Sequence, residues 1–475
     1  MPFSIFSGRI YSAALICLLV ALAATGYRRY VHFDDAWFAE QSYWLLRDGR
    51  VRSELFRGYN GWENQLYVFH KLFIYAGAGM MRLLGMSLAA SKLLTSLCAC
   101  LTGWLIWQYA RRGSREEQWL AVLLYFGCGT IIRYFCVNRP EIMCMTLGFA
   151  SYLALDQPAE QRPRSFLAGV LAGLAALTHL NGLIYVVAGG FWLLIRTGWR
   201  TTLWFGLAGG LTVSLYALDA LLAGQVATLV GQFVHDPATQ SNFRLSDKIS
   251  VMLNYHQLWF HSVYEIPLSV LALLSLLVFR RFVRWSQPIV LYLCLLVITF
   301  WLLSKSNFDF YYILFVPWLV LLTVHYLPDY WPTLTLGKQR TGRVLLAGYV
   351  AVSIVCVAFV LVENYTRPHV ESYNAQLARH MPRHHTRIIA PITFVFGQID
   401  AYQIHGLTYY ELLEKRSGPL PLSRFFAQAD SSRVEYVVSD GLQNASYVIP
   451  LDAPARIGAY TRIFRDDRTS IYAHR

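Results

Sequence analysis

Apolar residues along this chain gather into long runs rather than the alternation of a strand or the one-sided stripe of a soluble helix. A helix needs about 20 mostly apolar residues to cross roughly 30 Å of hydrocarbon. Runs of that kind lie at about 10–26, 88–110, 118–136, 140–156, 202–222, 266–283, 287–303, 310–327 and 344–362. A further apolar stretch, 166–195, is interrupted by Thr178-His179-Leu180-Asn181-Gly182, which predicts two short helices meeting at a polar turn. The pattern therefore predicts an all-α polytopic membrane domain over 1–362 with about eleven transmembrane helices. Segment 66–84 is nearly apolar enough to count as another span but carries His70, Lys71 and Arg82, so it is expected to lie along the membrane interface. After Glu363 the pattern turns to that of a soluble fold. A helix is expected over 370–381, a strand over 386–391, a helix over 423–430, a strand over 434–439 and a strand pair near 456–464 and 469–474. This predicts a small C-terminal α/β domain, residues 363–475, large enough to bury a core.

Composition agrees with lipid as the main solvent: 56% of the 475 residues are hydrophobic and only 15% charged, against about a quarter in soluble domains. A net charge of +13 raises the question of nucleic acid, but the cations lie between apolar runs or in the C-terminal region, with no nucleic-acid-binding motif among them. Alternate loops carry the arginines: Arg111, Arg112 and Arg115; Arg162 and Arg164; Arg196 and Arg200; Arg280, Arg281 and Arg284; Lys338, Arg340 and Arg343. The positive-inside rule puts these loops and the N-terminus in the cytoplasm, and the C-terminal region and the loops at about 27–87 and 223–265 outside. The first run, behind Arg9, reads as a retained signal anchor, because Ala23-Ala24-Thr25 makes a poor cleavage site. All eight cysteines fall inside apolar runs, so no disulfide framework is expected.

Chemistry-bearing residues gather at the expected outer ends of the spans. Asp34 and Asp35, in Phe33-Asp34-Asp35-Ala36-Trp37-Phe38-Ala39-Glu40, follow the first span. One of them is expected to cap a helix running to about Arg47, and a fixed carboxylate there could also take a proton from an attacking hydroxyl. Glu63, in the same outer loop, is a candidate for orienting an acceptor or binding a divalent cation, with a solvated loop acid as the plain alternative; no other cofactor is read. Asn138-Arg139-Pro140-Glu141 forms a short turn between spans, where Arg139 is a candidate phosphate ligand or the internal partner of Glu141, itself well placed for the helix dipole. Lys305 reads as a second phosphate contact or a snorkelling lysine, Tyr311 and Tyr312 as ligand contacts or interfacial aromatics, and His179 as a buried hydrogen-bonding group. His235, His256 and His261 lack the spacing of a zinc site.

Taken in order, these motifs resemble the GT-C superfamily of membrane glycosyltransferases, of the protein-O-mannosyltransferase and aminoarabinose-transferase type. Asp34-Asp35-Ala36-Trp37-Phe38-Ala39 is similar to that family's acidic run after the first span, and Glu63 to its acid before a His-Pro-Pro segment, here replaced by Asn64-Gln65-Leu66. Arg139-Pro140-Glu141 is similar to its Arg-Pro-acid turn, and Gly173-Leu174-Ala175-Ala176-Leu177-Thr178-His179 to its hairpin. Lys305 with Tyr311-Tyr312 is similar to the basic residue before its Tyr-Tyr helix. The resemblance implies a GT-C-like fold and an inverting transfer of one sugar from a polyprenyl-phosphate donor to a glycan, lipid or protein acceptor at the outer face of the inner membrane. It implies Asp34 or Asp35 as base, with Arg139 and Lys305 at the lipid phosphate. A flippase for lipid-linked sugars would show charges or broken helices at mid-membrane and an internal repeat, and neither is seen; an inactive assembly partner would keep the same motifs.

Overall fold

The computed structural model describes residues 8–27, 29–156, 162–236, 245–304, 306–325, 331–439 and 446–475. The chain forms two compact units. The first holds Met1–Arg29, His70–Phe73 and Leu94–Asn364; the second holds Tyr30–Phe69, Ile74–Leu93 and Tyr365–Arg475. This partition differs from a simple break at residue 362. Most of the loop expected at 27–87 folds with the C-terminal residues, and the main chain shows why: Gly406 N–H donates to the Leu55 carbonyl at 2.9 Å.

The first unit is helical, and the apolar runs become helices at Gly8–Tyr27, Leu88–Ala110, Arg115–Gly127, Pro140–Leu155, Arg162–Thr178, Leu183–Arg196, Trp199–Ser214, Ile266–Val278, Pro288–Leu303, Val316–His325 and Leu336–Thr366. Among the described residues three helices, Leu88–Ala110, Trp199–Leu222 and the one beginning at Leu336, are long and apolar enough to cross a membrane by themselves; the other apolar helices have apolar stretches of 10–17 residues. The run at 118–136 is not one helix. It breaks at Cys128, whose backbone is extended, and resumes over Gly129–Tyr134. Gly129 sits so close to Tyr264 that a Cβ there would lie 2.7 Å from its Cα, a close approach that the even apolar run concealed. The polar turn at Thr178–Gly182 behaves as expected, with one short 3-10 turn between two helices.

The core of this unit is aromatic. The Trp318 ring stacks against Tyr185 and Tyr292, with centroids 5.6 Å away in each case, and Phe149 meets its edge at 5.4 Å. The Tyr185 hydroxyl donates to the Leu314 carbonyl at 2.8 Å, which satisfies the one polar atom such a ring buries. A second packing device is a seam of small residues. A Cβ on Gly169 would stand 2.3 Å from the Phe205 carbonyl oxygen, and one on Gly173 2.5 Å from Thr212 Cβ. Without a hydrophobic force between helices in lipid, close van der Waals approach of this kind is what holds them.

The second unit is built on a mixed six-stranded sheet, with strands β1 (Arg387–Ala390), β2 (Gln403–Gly406), β3 (Tyr436–Val438), β4 (Arg456–Ile457), β5 (Tyr460–Arg465) and β6 (Ser470–His474). Their spatial order is β2-β1-β3-β6-β5-β4, with β1 parallel to β2 and β3 and the remaining pairs antiparallel. Helices Leu407–Ser417 and Leu422–Ser431 cover the sheet through Tyr410, Phe425 and Phe426. The helices expected at 370–381 and 423–430 appear at Val370–Ala378 and Leu422–Ser431, whereas β2 and the Leu407–Ser417 helix lie in a region that the sequence left unassigned. Segment 66–84 becomes a helix over Lys71–Leu84.

The Phe33–Asp48 helix also belongs to this unit, and a buried carboxylate fastens the loop after it. Glu40 accepts hydrogen bonds from Ser53 Oγ at 2.6 Å, Glu54 N–H at 2.6 Å, Leu55 N–H at 3.1 Å and Trp44 Nε1 at 3.1 Å. Burial pushes its pKa up to about 7, against the pull of these donors. The Tyr43 hydroxyl donates to Asp400 and accepts from Arg47 Nη1 at 2.6 Å, tying the same helix to the turn before β2.

Candidate functional site

The acidic pair occupies the first turn of the Phe33–Asp48 helix. The N-cap is His32 rather than either aspartate: its Nδ1 accepts the Asp34 N–H at 3.3 Å, and Asp35 reaches back to accept the His32 N–H at 2.6 Å. The expected cap is thus a capping box in which Asp35 is the reciprocal member. Asp35 is fully buried, and Lys92 Nζ stands 3.5 Å from its Oδ2 while donating to the Tyr30 carbonyl at 2.9 Å. Asp34 differs. Its side chain retains 15% exposure, and its carboxylate lies 3.4 Å from the His32 ring.

Glu63 is elsewhere in the same unit. Its Oε2 accepts the Gly58 N–H at 3.1 Å, which closes the turn around Asn60 and Gly61. Among the described residues no three of His, Cys, Asp and Glu come together as metal ligands.

The first unit assembles the other expected residues. Arg139 is the N-cap of the Pro140–Leu155 helix, with extended backbone. Residues two apart inside a helix do not face each other, but the extended cap turns Arg139 onto Glu141. The guanidinium donates through Nε at 3.1 Å and Nη2 at 2.7 Å to the two carboxylate oxygens. Both side chains are buried, and the guanidinium also lies over the Phe310 ring at 3.7 Å. His179 Nδ1 accepts the Asn181 N–H at 3.0 Å, which leaves Nε2 toward Glu141 at 3.8 Å. The Tyr311 ring meets His179 edge-on at 5.5 Å.

Arg139, Glu141, His179 and Tyr311 therefore form one cluster. Tyr312 does not join it. Its hydroxyl accepts from Ser269 Oγ at 2.9 Å and its ring packs on Trp259, so it is a core residue. Lys305 lies outside the described residues.

Two residues that the sequence placed on an interfacial helix turn out to belong to this unit. His70 stacks on His179, with centroids 4.8 Å apart and planes 16° from parallel. Lys71 is buried and paired with Asp219 at 2.6 Å, with Nζ 5.2 Å from the Tyr216 ring centre. A buried Lys beside a second His was the available signal; their partners, more than a hundred positions away, were not. Arg133, paired with Asp309 at 2.9 Å, extends the charged surroundings.

Comparison with known proteins bears on both units. The family model described as dolichyl-phosphate-mannose-protein mannosyltransferase matches residues 72–221, beginning directly after His70-Lys71. No curated protein matches the chain. Among solved structures it is similar to ArnT from Cupriavidus metallidurans bound to undecaprenyl phosphate, at 14% identity and a TM-score of 0.66, over 98% of either chain. It is also similar to the Archaeoglobus fulgidus oligosaccharyltransferase, at 11% identity and a TM-score of 0.51, over 92% of this chain and 70% of that one. A third likeness is to the mycobacterial arabinofuranosyltransferase AftD, at 14% identity and a TM-score of 0.54, over all of this chain and 42% of that one. The resemblance to GT-C glycosyltransferases of this type, drawn from short motifs, is thus present in the family match and in the fold.

Proposed function

We propose that this protein is a membrane glycosyltransferase that moves one sugar from a polyprenyl-phosphate donor to a hydroxyl acceptor of the cell envelope: a glycan, a lipid or a protein. The observation that carries this reading is the likeness, over nearly the whole of both chains, to a structure that binds undecaprenyl phosphate. In this reading the chain spans the inner membrane, the arginine-rich loops and the N-terminus face the cytoplasm, and the second unit works outside.

Asp34 is the base in this reading. Asp35 is engaged by the His32 N–H and Lys92 and has no exposure, whereas Asp34 stands one position earlier with part of its carboxylate open. The acceptor O–H gives its proton to Asp34 while its oxygen bonds to the anomeric carbon with inversion. The bond from that carbon to the phosphate oxygen breaks, and its electron pair leaves with the polyprenyl phosphate. The resemblance assigns Arg139, whose guanidinium Glu141 fixes, to the growing charge of the departing phosphate. The lipid tail keeps the donor in the membrane plane, which lowers the entropy cost of the encounter.

The test is transfer from labelled polyprenyl-phosphate sugars in reconstituted vesicles by Asp34→Asn and Asp35→Asn. Asp34→Asn should fold and lose transfer by about 10² to 10⁴, the usual worth of a positioned base. Full transfer by that variant would remove Asp34 from the mechanism.

A further inference from the structure

A cavity of about 400 Å³ lies wholly within the second unit, lined by the turn at Glu54–Gly58, strands β1 and β2, and the helices Leu407–Ser417 and Leu422–Ser431. Its volume is at the small end of the range for small-molecule sites. The floor is apolar, with Ile388, Ile404 and Val434 buried, while the rim at Arg57, Arg387, Gln403, Gln428 and Ser431 is exposed. An apolar floor beneath a rim of amide, hydroxyl and guanidinium groups is the complement of a sugar ring, whose faces present C–H groups and whose edge presents hydroxyls.

Three observations narrow the ligand. Tyr409, half-buried, lines the cavity beside His405, with ring centroids 4.7 Å apart, and offers an aromatic face to the partly positive C–H side of a sugar. Glu54 is neutralised within the wall, because Arg52 and Arg57 both donate to its carboxylate. His405 is the third. Its Nδ1 lies 3.4 Å from the Tyr410 hydroxyl, and its buried Nε2 has no hydrogen-bond partner.

Burial pulls the His405 pKa down to about 4, with Arg57 acting the same way and a backbone contact to Arg57 opposing weakly. The ring is therefore neutral and offers Nε2 as a donor or an acceptor, depending on its tautomer. A hydroxyl can answer either form, since it both donates and accepts, whereas a phosphate or carboxylate could only accept.

We propose that this cavity binds a saccharide unit of the acceptor, with one ring seated against Tyr409 and a hydroxyl bonded to His405 Nε2. The proposal rests on the transferase reading for the word acceptor, but binding itself can be measured without turnover. The full chain in detergent is probed with maltose, diacetylchitobiose and glucuronic acid by saturation-transfer NMR. Ser431→Trp fills the exposed rim without removing packing, and Tyr409→Ala removes the aromatic face.

At least one probe should bind the wild type and bind both variants about tenfold or more weakly. Ser431→Trp carries the test if Tyr409→Ala fails to fold. Binding by none of the three probes, or binding indifferent to Ser431→Trp, overturns the proposal. Asp34→Asn, which abolishes donor turnover in the transferase reading, should keep saccharide binding intact. A wild type that binds saccharide but turns over no donor would strike the transferase reading alone.

Discussion

The two charged clusters neutralise themselves in different ways. In the helical unit Arg139 and Glu141 stand two positions apart and use each other: the guanidinium spends two donors on one carboxylate, and His179 faces the same oxygen. In the second unit two adjacent acids divide their roles. Asp35 is taken up by the capping box and Lys92, and Asp34 is left with some exposure beside His32. A self-contained buried pair is fixed at the cost of being hard to edit, because removing either member strands the other. A divided pair leaves one acid whose loss should touch chemistry more than folding.

The largest expected effect tests the divided pair. Asp34→Asn should lower transfer by about 10² to 10⁴ while the thermal midpoint stays near that of the wild type; Asp35→Asn should instead lower the midpoint, because the carboxylate charge that faces Lys92 and strengthens the His32 cap bond is lost. Equal melting losses in both would erase the distinction.

Next comes the self-contained pair. Arg139→Ala should destabilise the protein by about 3–5 kcal/mol, since it leaves Glu141 buried without its partner. Adding Glu141→Gln should restore part of that in the same melts, while donor use stays weak. Recovery of donor use in the double variant would deny Arg139 its phosphate role.

The smallest effect concerns Glu40, a buried acid answered by hydrogen bonds without a cation. Its folded pKa of about 7 stands above the ordinary 4.5. Between those values the folded protein holds a proton that the unfolded chain releases, so the stabilisation present below pH 4.5 is lost as pH rises to about 7. The change is at most about 3 kcal/mol. Glu40→Gln should fold, since its amide can donate to Ser53 Oγ, and should flatten this slope in melts taken across the window; an unchanged slope would assign it to other groups.

Much of this architecture was legible because its signals are local. Apolar runs made helices, and Arg139-Pro140-Glu141 already held a cap, a first-turn proline and a dipole-favoured acid. What escaped depends on distance along the chain. Nothing near His70 or Lys71 announces His179 or Asp219, and nothing near Tyr312 announces Ser269. Strand β2, Gln403-Ile404-His405-Gly406, carries a single apolar side chain where β1 carries Ile388, Ile389 and Ala390, and the break at Cys128 interrupts no apolar pattern. The cap is hidden in the sequence because histidine is not among the usual capping side chains, though the His32 Nδ1 serves the same purpose.

The uneven lengths of the apolar helices carry one more consequence. Ile266–Val278 has 13 residues and Pro288–Leu303 has 16, which at about 1.5 Å each span roughly 20 and 24 Å, short of the usual hydrocarbon thickness. In the transferase reading these helices span the bilayer, and lipid beside them thins or tilts its chains at a modest cost for each ångström. A thinned annulus carries its phosphate groups inward, toward the level at which a polyprenyl phosphate would have to be held. In the transferase reading bilayer thickness then becomes a control on activity: transfer in vesicles of shorter-chain lipids should exceed that in longer-chain ones, and a rate indifferent to chain length would show that the protein shields its short helices itself.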